Sequence, residues 1–186
     1  MNIFFTSDTH FGHSNIAGPT VSNWKSGYRN FKSVEEMDET LIKNWNGRVK
    51  SNDLVYHLGD FAFSSPVKAI PIKQRLNGKV HLILGNHDKT VLNMQQYFEN
   101  ISSYREIYVD GKQQLVLFHY PIESWNNMRH GSWMIHGHCH YSLPVSEGRK
   151  IDIGVDNPLT NYAPMEYSEL KAIMAKKENL KIDHHG

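Results

Sequence analysis

The chain has 186 residues, 39% hydrophobic and 21% charged, the balance of a globular sequence long enough to bury a core, and a single domain over 1–186 is expected. A net charge of +1 supplies no global field for nucleic acid or an acidic membrane, so any anion has to be drawn by a local site. One cysteine, Cys139, excludes an intramolecular disulfide and a thiolate zinc cage, which leaves twelve histidines and the carboxylates as the stock of metal ligands.

The first apolar run, residues 3–5, is too short for a signal peptide or a membrane span and lacks a basic flank, so a cytoplasmic protein without membrane contact is expected. It reads as a strand, and the further strand-like runs are 54–58, 80–84, 115–118, 134–135 and 151–155. Between the first two, Ser33 and Glu36 form a capping-box pattern, and Val34, Met37, Leu41, Ile42 and Trp45 share one helical face. A second helix is predicted from about Ser65 to before Asn77-Gly78, with a kink or break at Pro71. Residues 91–98 suggest a short helix, and Asp110-Gly111 between residues 104–109 and 113–118 signals a two-residue hairpin. Leu170, Ile173 and Met174 suggest a last helix with Lys176 and Lys177 at its basic end, and a frayed terminus holding His184 and His185.

Strands alternating with helices imply an α/β domain, and the hairpin implies a mixed sheet. In such sheets ligands sit beyond the carboxyl ends of strands. Five runs are followed by polar motifs: Asp8 and His10, then Gly59-Asp60, Gly85-Asn86-His87-Asp88, His119 and Gly137-His138-Cys139-His140. Each motif alone is an ordinary turn or a hydrogen-bonded histidine. Asp-x-His and His-x-His say more, because residues two apart in an extended segment point to the same side and can grip one ion. Together, so many carboxylates and imidazoles at one sheet end would repel and desolvate one another unless cations were present.

In this order the motifs resemble the calcineurin-like metallophosphoesterases, over residues near 3 to 156. The wording of Ser7-Asp8-Thr9-His10-Phe11-Gly12-His13 resembles the small bacterial and bacteriophage members, so a phage-encoded protein acting in the bacterial cytosol fits. The resemblance implies a four-layer α/β/β/α sandwich of two mixed β-sheets with two divalent transition-metal ions at one rim. Asp8, His10, Asp60 and His140 would hold one ion; Asp60, Asn86, His119 and His138 would hold the other, with Asp60 as the bridge. Oxygen and imidazole ligands suit manganese, iron, zinc or nickel without choosing among them, and manganese is the leading expectation. The implied activity is hydrolysis of a phosphate ester by metal-activated hydroxide, with His87 helping the leaving oxygen and Asp88 orienting the His87 ring.

Other residues carry narrower expectations. Cys139 should face away from the ligands and pack, His57, His81 and His136 should be structural, and Asp152 and Asp156 are read as turn residues rather than supports of the ligands. His13 and Asn86 are candidate substrate contacts. Residues 12–32 and 120–132 leave ligand-bearing strand ends as long loops with aromatic and cationic side chains: Trp24, Lys25, Tyr28, Arg29 and Asn30 in one, Tyr120, Trp125, Asn126, Arg129 and His130 in the other. They suggest a specificity wall for a nucleotide or nucleic-acid end, with Arg29 as the phosphate contact. If the rings instead pack the loops onto the body, that preference loses its basis. A phosphodiesterase is the leading reading, a phosphomonoesterase on a small metabolite or phosphoprotein the runner-up, and a non-catalytic module of the same fold a third. No protein partner is evident, and the oligomeric state is open.

Overall fold

The computed structural model describes residues 1–18, 29–144 and 147–180. Two mixed sheets form the frame. In the first, β1 (Ile3–Thr6), β2 (Leu54–His57), β3 (Lys79–Ile83) and β4 (Asn100–Ser102) run parallel, and β9 (Met165–Glu166) adds to β1 antiparallel, giving the order β4-β3-β2-β1-β9. In the second, β5 (Tyr104–Val109) and β6 (Gln113–Phe118) form the hairpin signalled by Asp110-Gly111, and β7 (Trp133–His136) and β8 (Lys150–Asp152) continue parallel to β6.

Side-chain alternation along the strands sorts the apolar residues into layers. Phe4, Val55 and Leu82 face α2 (Val34–Arg48) and α3 (Pro66–Arg75) in a cluster that includes Met37, Leu41, Trp45 and Ala69, with Ile16 and Ala17 of the single-turn α1 (Ser14–Ala17). Their neighbours Phe5, Tyr56 and Ile83 face the second sheet, where they meet Leu115, Leu117, Ile135 and Ile151, with Leu170 and Met174 of α4 (Tyr167–Met174) closing the same cluster. Val116 and Met134 point out of the second sheet and are covered by Trp125, Met128 and Leu180. The sandwich implied by the motifs is therefore present. Its fourth layer is a loop with a 3₁₀ turn at Met128–His130 rather than a long helix. No helix among the described residues is long and apolar enough to cross a membrane.

Local expectations need three corrections. The helix α3 runs through Pro71 unbroken, because Pro71 and Val67 both face solvent and water can serve the carbonyl that loses its donor. Ser33 Oγ caps Glu36 N at 3.1 Å, but the Glu36 carboxylate takes Lys32 N, not Ser33 N, so the box is offset by one residue. Residues Asp88–Tyr97 form two short 3₁₀ stretches broken at Met94, starting earlier than the apolar pattern suggests. Trp24, Lys25, Tyr28, His184 and His185 lie outside the described residues.

Candidate metal centre

All five motifs arrive at one rim, but not by extended segments. Strand β1 ends at Thr6, after which Asp8 and His10 take left-handed φ values of 56° and 49°. Asp60 follows with 55°, His138 with 71° and His140 with 48°. A non-glycine residue held left-handed is uncommon and costs on the order of 1 kcal/mol, so five at one rim mark strain concentrated where function resides. The expected geometry of His-x-His is corrected by the same observation: His138 and His140 part, each joining a different cluster, and Cys139 sits half-buried in the bend between them.

The clusters are Asp8, His10 and His140, and Asp60, His119 and His138, with the offered ligand atoms of each within 4.8 Å of one another. Asp60 joins them, its Oδ2 lying 3.5 Å from His10 Nε2 on one side and 3.5 Å from His119 Nε2 on the other. Asn86 Oδ1 completes the second, 3.1 Å from His119 Nε2 and 3.0 Å from His138 Nδ1. Every residue assigned to a metal by the resemblance is thus brought together.

Hydrogen bonds turn the imidazoles to face inward. His119 Nδ1 donates to Leu58 O at 2.7 Å and His140 Nδ1 donates to Asp156 Oδ2 at 2.7 Å, so the opposite nitrogen of each ring is left for coordination. His10 Nε2 is buried without a hydrogen-bond partner, an orphan that a cation between it and Asp60 would satisfy. The electrostatics agree. Burial pushes the Asp8 carboxyl up to about 7 against the charges of His140 and His119, and pushes His10 down to about 4. Burial would raise Asp60 too, but His10 and His119 hold it far below the usual range; burial would lower His119 and His140, but Asp60 and Asp156 raise them. Nitrogen and oxygen donors crowded away from water fit two divalent ions.

Backbone packing explains the glycines in the motifs. A Cβ on Gly85 would overlap Asp60 Oδ1 and stand 2.5 Å from Asp60 N, and one on Gly137 would overlap Ser7 Oγ and Asp8 Oδ2. Asp88 has a different place from the one expected. Its carboxylate accepts from Gly85 N, Asp60 N and Phe61 N at 2.8–2.9 Å, so it fastens the second motif to the third and does not orient the His87 ring. The exposed His87 has its backbone N–H on Asp60 Oδ1 at 2.8 Å and its ring 5.6 Å from that of His10.

His13 is buried beside His10, with ring centroids 5.2 Å apart, and its other face stacks on Phe63 at 4.0 Å. Arg29 is not a phosphate contact in a loop wall: it is 1% exposed, and its donors go to Asp156, Asp8 O and Thr9 O. Trp125 is buried in the outer cluster with Nε1 on Ser132 O, so this ring packs its loop onto the body. Asp152 caps Gly154 N and Tyr141 N as a turn residue should, whereas Asp156 supports His140 and corrects the turn reading. His57, His81 and His136 are hydrogen-bonded within the frame. The rim aromatic that the motifs did not point to is Phe63; Tyr120 is one of the aromatics expected in the wall of residues 120–132. Phe63, 45% exposed, stands edge-on to His87, and Tyr120, 37% exposed, stands edge-on to His119 and His138. Phe63 follows no motif, and only its position three residues after Asp60 was available as a signal.

The family model for calcineurin-like phosphoesterases matches residues 1–185. An uncharacterised protein of Methanocaldococcus jannaschii is 34% identical over 180 residues, 94% of this chain and 92% of its own length. The Gene 66 protein of Mycobacterium phage L5 is 31% identical, with 83% and 86% covered. The crystal structure of a protein of unknown function from Aquifex aeolicus superposes with a TM-score of 0.68 at 26% identity, covering 92% of this chain and 98% of that one.

Proposed function

The chain belongs to the calcineurin-like phosphoesterases, and from that premise we propose that it is a dinuclear, manganese-dependent phosphodiesterase acting on a nucleotide-like ester. The observation that carries the reading is the shared carboxylate: Asp60 Oδ2 is equidistant, at 3.5 Å, from a nitrogen of each cluster. Two divalent ions bound there supply the charge that draws a phosphate and the acidity that makes water a nucleophile near neutral pH. The chain's own residues do the rest. Asp60 sets the spacing of the two clusters, and Asn86 turns its amide oxygen to the second while His119 and His138 flank it. His87, exposed at the rim and anchored through its backbone to Asp60, holds a ring proton for the leaving oxygen.

Preference for a diester rests on the walls. Arg29 is spent inside the protein, so it offers no guanidinium to a second negative charge on phosphate. Phe63 and Tyr120 expose rings near the two clusters, and such rings stack on planar groups such as bases. His13 favours the alternative, a phosphomonoesterase, because a second imidazole beside His10 can meet an extra phosphate oxygen. Turnover of bis-p-nitrophenyl phosphate and p-nitrophenyl phosphate in added manganese separates the two. Faster hydrolysis of the diester is expected; preference for the monoester would replace the first reading by the second, and inactivity on both would remove the enzyme reading.

A further inference from the structure

The first cluster is assembled from two turns far apart in sequence, one carrying Asp8 and His10 and the other His140, all three held left-handed. Between them lies a buried ion pair. Arg29 Nε and Nη2 donate to the Asp156 carboxylate at 2.8 and 2.9 Å, with both side chains at most 7% exposed. On one side, Nη2 also donates to Asp8 O at 2.6 Å and Nη1 to Thr9 O at 3.0 Å; on the other, Asp156 Oδ2 accepts His140 Nδ1 at 2.7 Å. One guanidinium and one carboxylate therefore tie the two turns directly to each other. The second cluster is tied to these turns less directly: His119 rests on the carbonyl of Leu58 and His138 meets the exposed Asn86, with the His138 N–H reaching the first cluster on the Asp8 carboxylate at 3.0–3.1 Å.

We propose that Arg29 and Asp156 are positioning residues that preorganise the site of Asp8, His10 and His140 for its metal ion, and that they set the affinity of that site more strongly than the affinity of the second. This rests on the dinuclear reading above. Charge alone would act differently. A cation beside a metal site weakens metal binding and an anion strengthens it, so removing Arg29 should tighten the site and removing Asp156 should loosen it. Positioning gives one sign for both, because either removal releases the turns.

The test is manganese titration by calorimetry in single-site backgrounds: His138→Ala, which keeps the first site, and His10→Ala, which keeps the second. In the His138→Ala chain, Arg29→Met and Asp156→Asn should each weaken binding by about 10- to 100-fold. In the His10→Ala chain the loss should be several-fold smaller, because that site meets the clamp indirectly, through the His138 N–H on Asp8. The double variant Arg29→Met/Asp156→Asn leaves no lone buried charge, so it decides the matter if a single variant fails to fold by circular dichroism, and it should retain the loss. Tightening by Arg29→Met, a double variant with the affinity of its parent, or equal losses in both backgrounds would overturn the proposal. A parent chain that binds two manganese ions alongside unaffected variants overturns the clamp alone. A parent chain that cannot bind two removes the dinuclear reading, and the clamp with it.

Discussion

Replacing Gly85 by alanine tests the site's geometry with a single methyl group. The new Cβ would overlap Asp60 Oδ1 and lie 2.5 Å from Asp60 N. Asp60 has little freedom to withdraw. Its N–H is fixed to Asp88 Oδ2 at 2.8 Å, its φ is already left-handed, and its Oδ1 accepts His87 N at 2.8 Å. Relief of the contact therefore moves the bridging carboxylate by roughly 1 Å, a displacement of the size that costs about 100-fold in rate. Overpacking adds about 1–3 kcal/mol of destabilisation. We expect Gly85→Ala to lose about 100-fold in kcat/KM on bis-p-nitrophenyl phosphate and to bind manganese more weakly, while thermal melting still shows a folded protein. Gly47→Ala is the control: the site is exposed in α2 with nothing within 4 Å of the new Cβ, so it should stabilise by about 0.5–1 kcal/mol without touching activity. A Gly85→Ala protein with two ions and the parental rate would refute the argument that this glycine exists to let Asp60 approach.

His87→Ala should keep both ions and lose about 100- to 10,000-fold on esters with poor leaving groups, with a smaller loss on p-nitrophenyl esters; loss of an ion, read by elemental analysis, would place His87 among the ligands. Manganese affinity should fall as pH drops through about 7, because Asp8 takes up a proton there and His119 and His140, both raised, compete likewise; calorimetry in buffers of different ionisation enthalpy should show proton release on binding, and pH-independent affinity would contradict it. Phe63→Ala and Tyr120→Ala should weaken turnover of a dinucleotide while leaving a methyl phosphodiester nearly unaffected, and equal losses on both would deny these rings a part in specificity. Trp125→Ala should act on stability, by about 3–5 kcal/mol in denaturant melts, and not on substrate choice; an undiminished midpoint with altered selectivity would restore the loop-wall idea.

What could be read from the chain alone follows from how local each feature is. The strands β1, β2, β3, β6 and β7 each carry their apolar run in consecutive residues, and the ligand motifs follow directly, so a linear reading finds them. The two-residue β9 and three-residue β4 carry too few residues for any pattern, and they exist because β1 and β3 offer them an edge. The motif residues were found for a reason that was partly mistaken. Extended alternation would have put Asp8 and His10, or His138 and His140, on one side, whereas left-handed turns aim them individually and send the two histidines to different clusters.

Arg29 shows where linear reading stops. In its own neighbourhood, a loop arginine beside Tyr28 and four residues after Lys25 has the composition of a phosphate contact. Its partner Asp156 is 127 residues away, and from its own neighbourhood Asp156 looks like a turn residue after the strand-like run 151–155. Each was misread for the same reason: a buried cation and a buried anion make sense only as a pair, since either one alone would bear a desolvation cost that its surroundings cannot offset. The fold supplies the pairing by bringing the segment after β8 beside the end of β1, where Val155 N donates to Ser7 O at 3.1 Å. That crossing places Asp156 between Arg29 and His140, and turns two residues with unremarkable local contexts into the support of the first cluster.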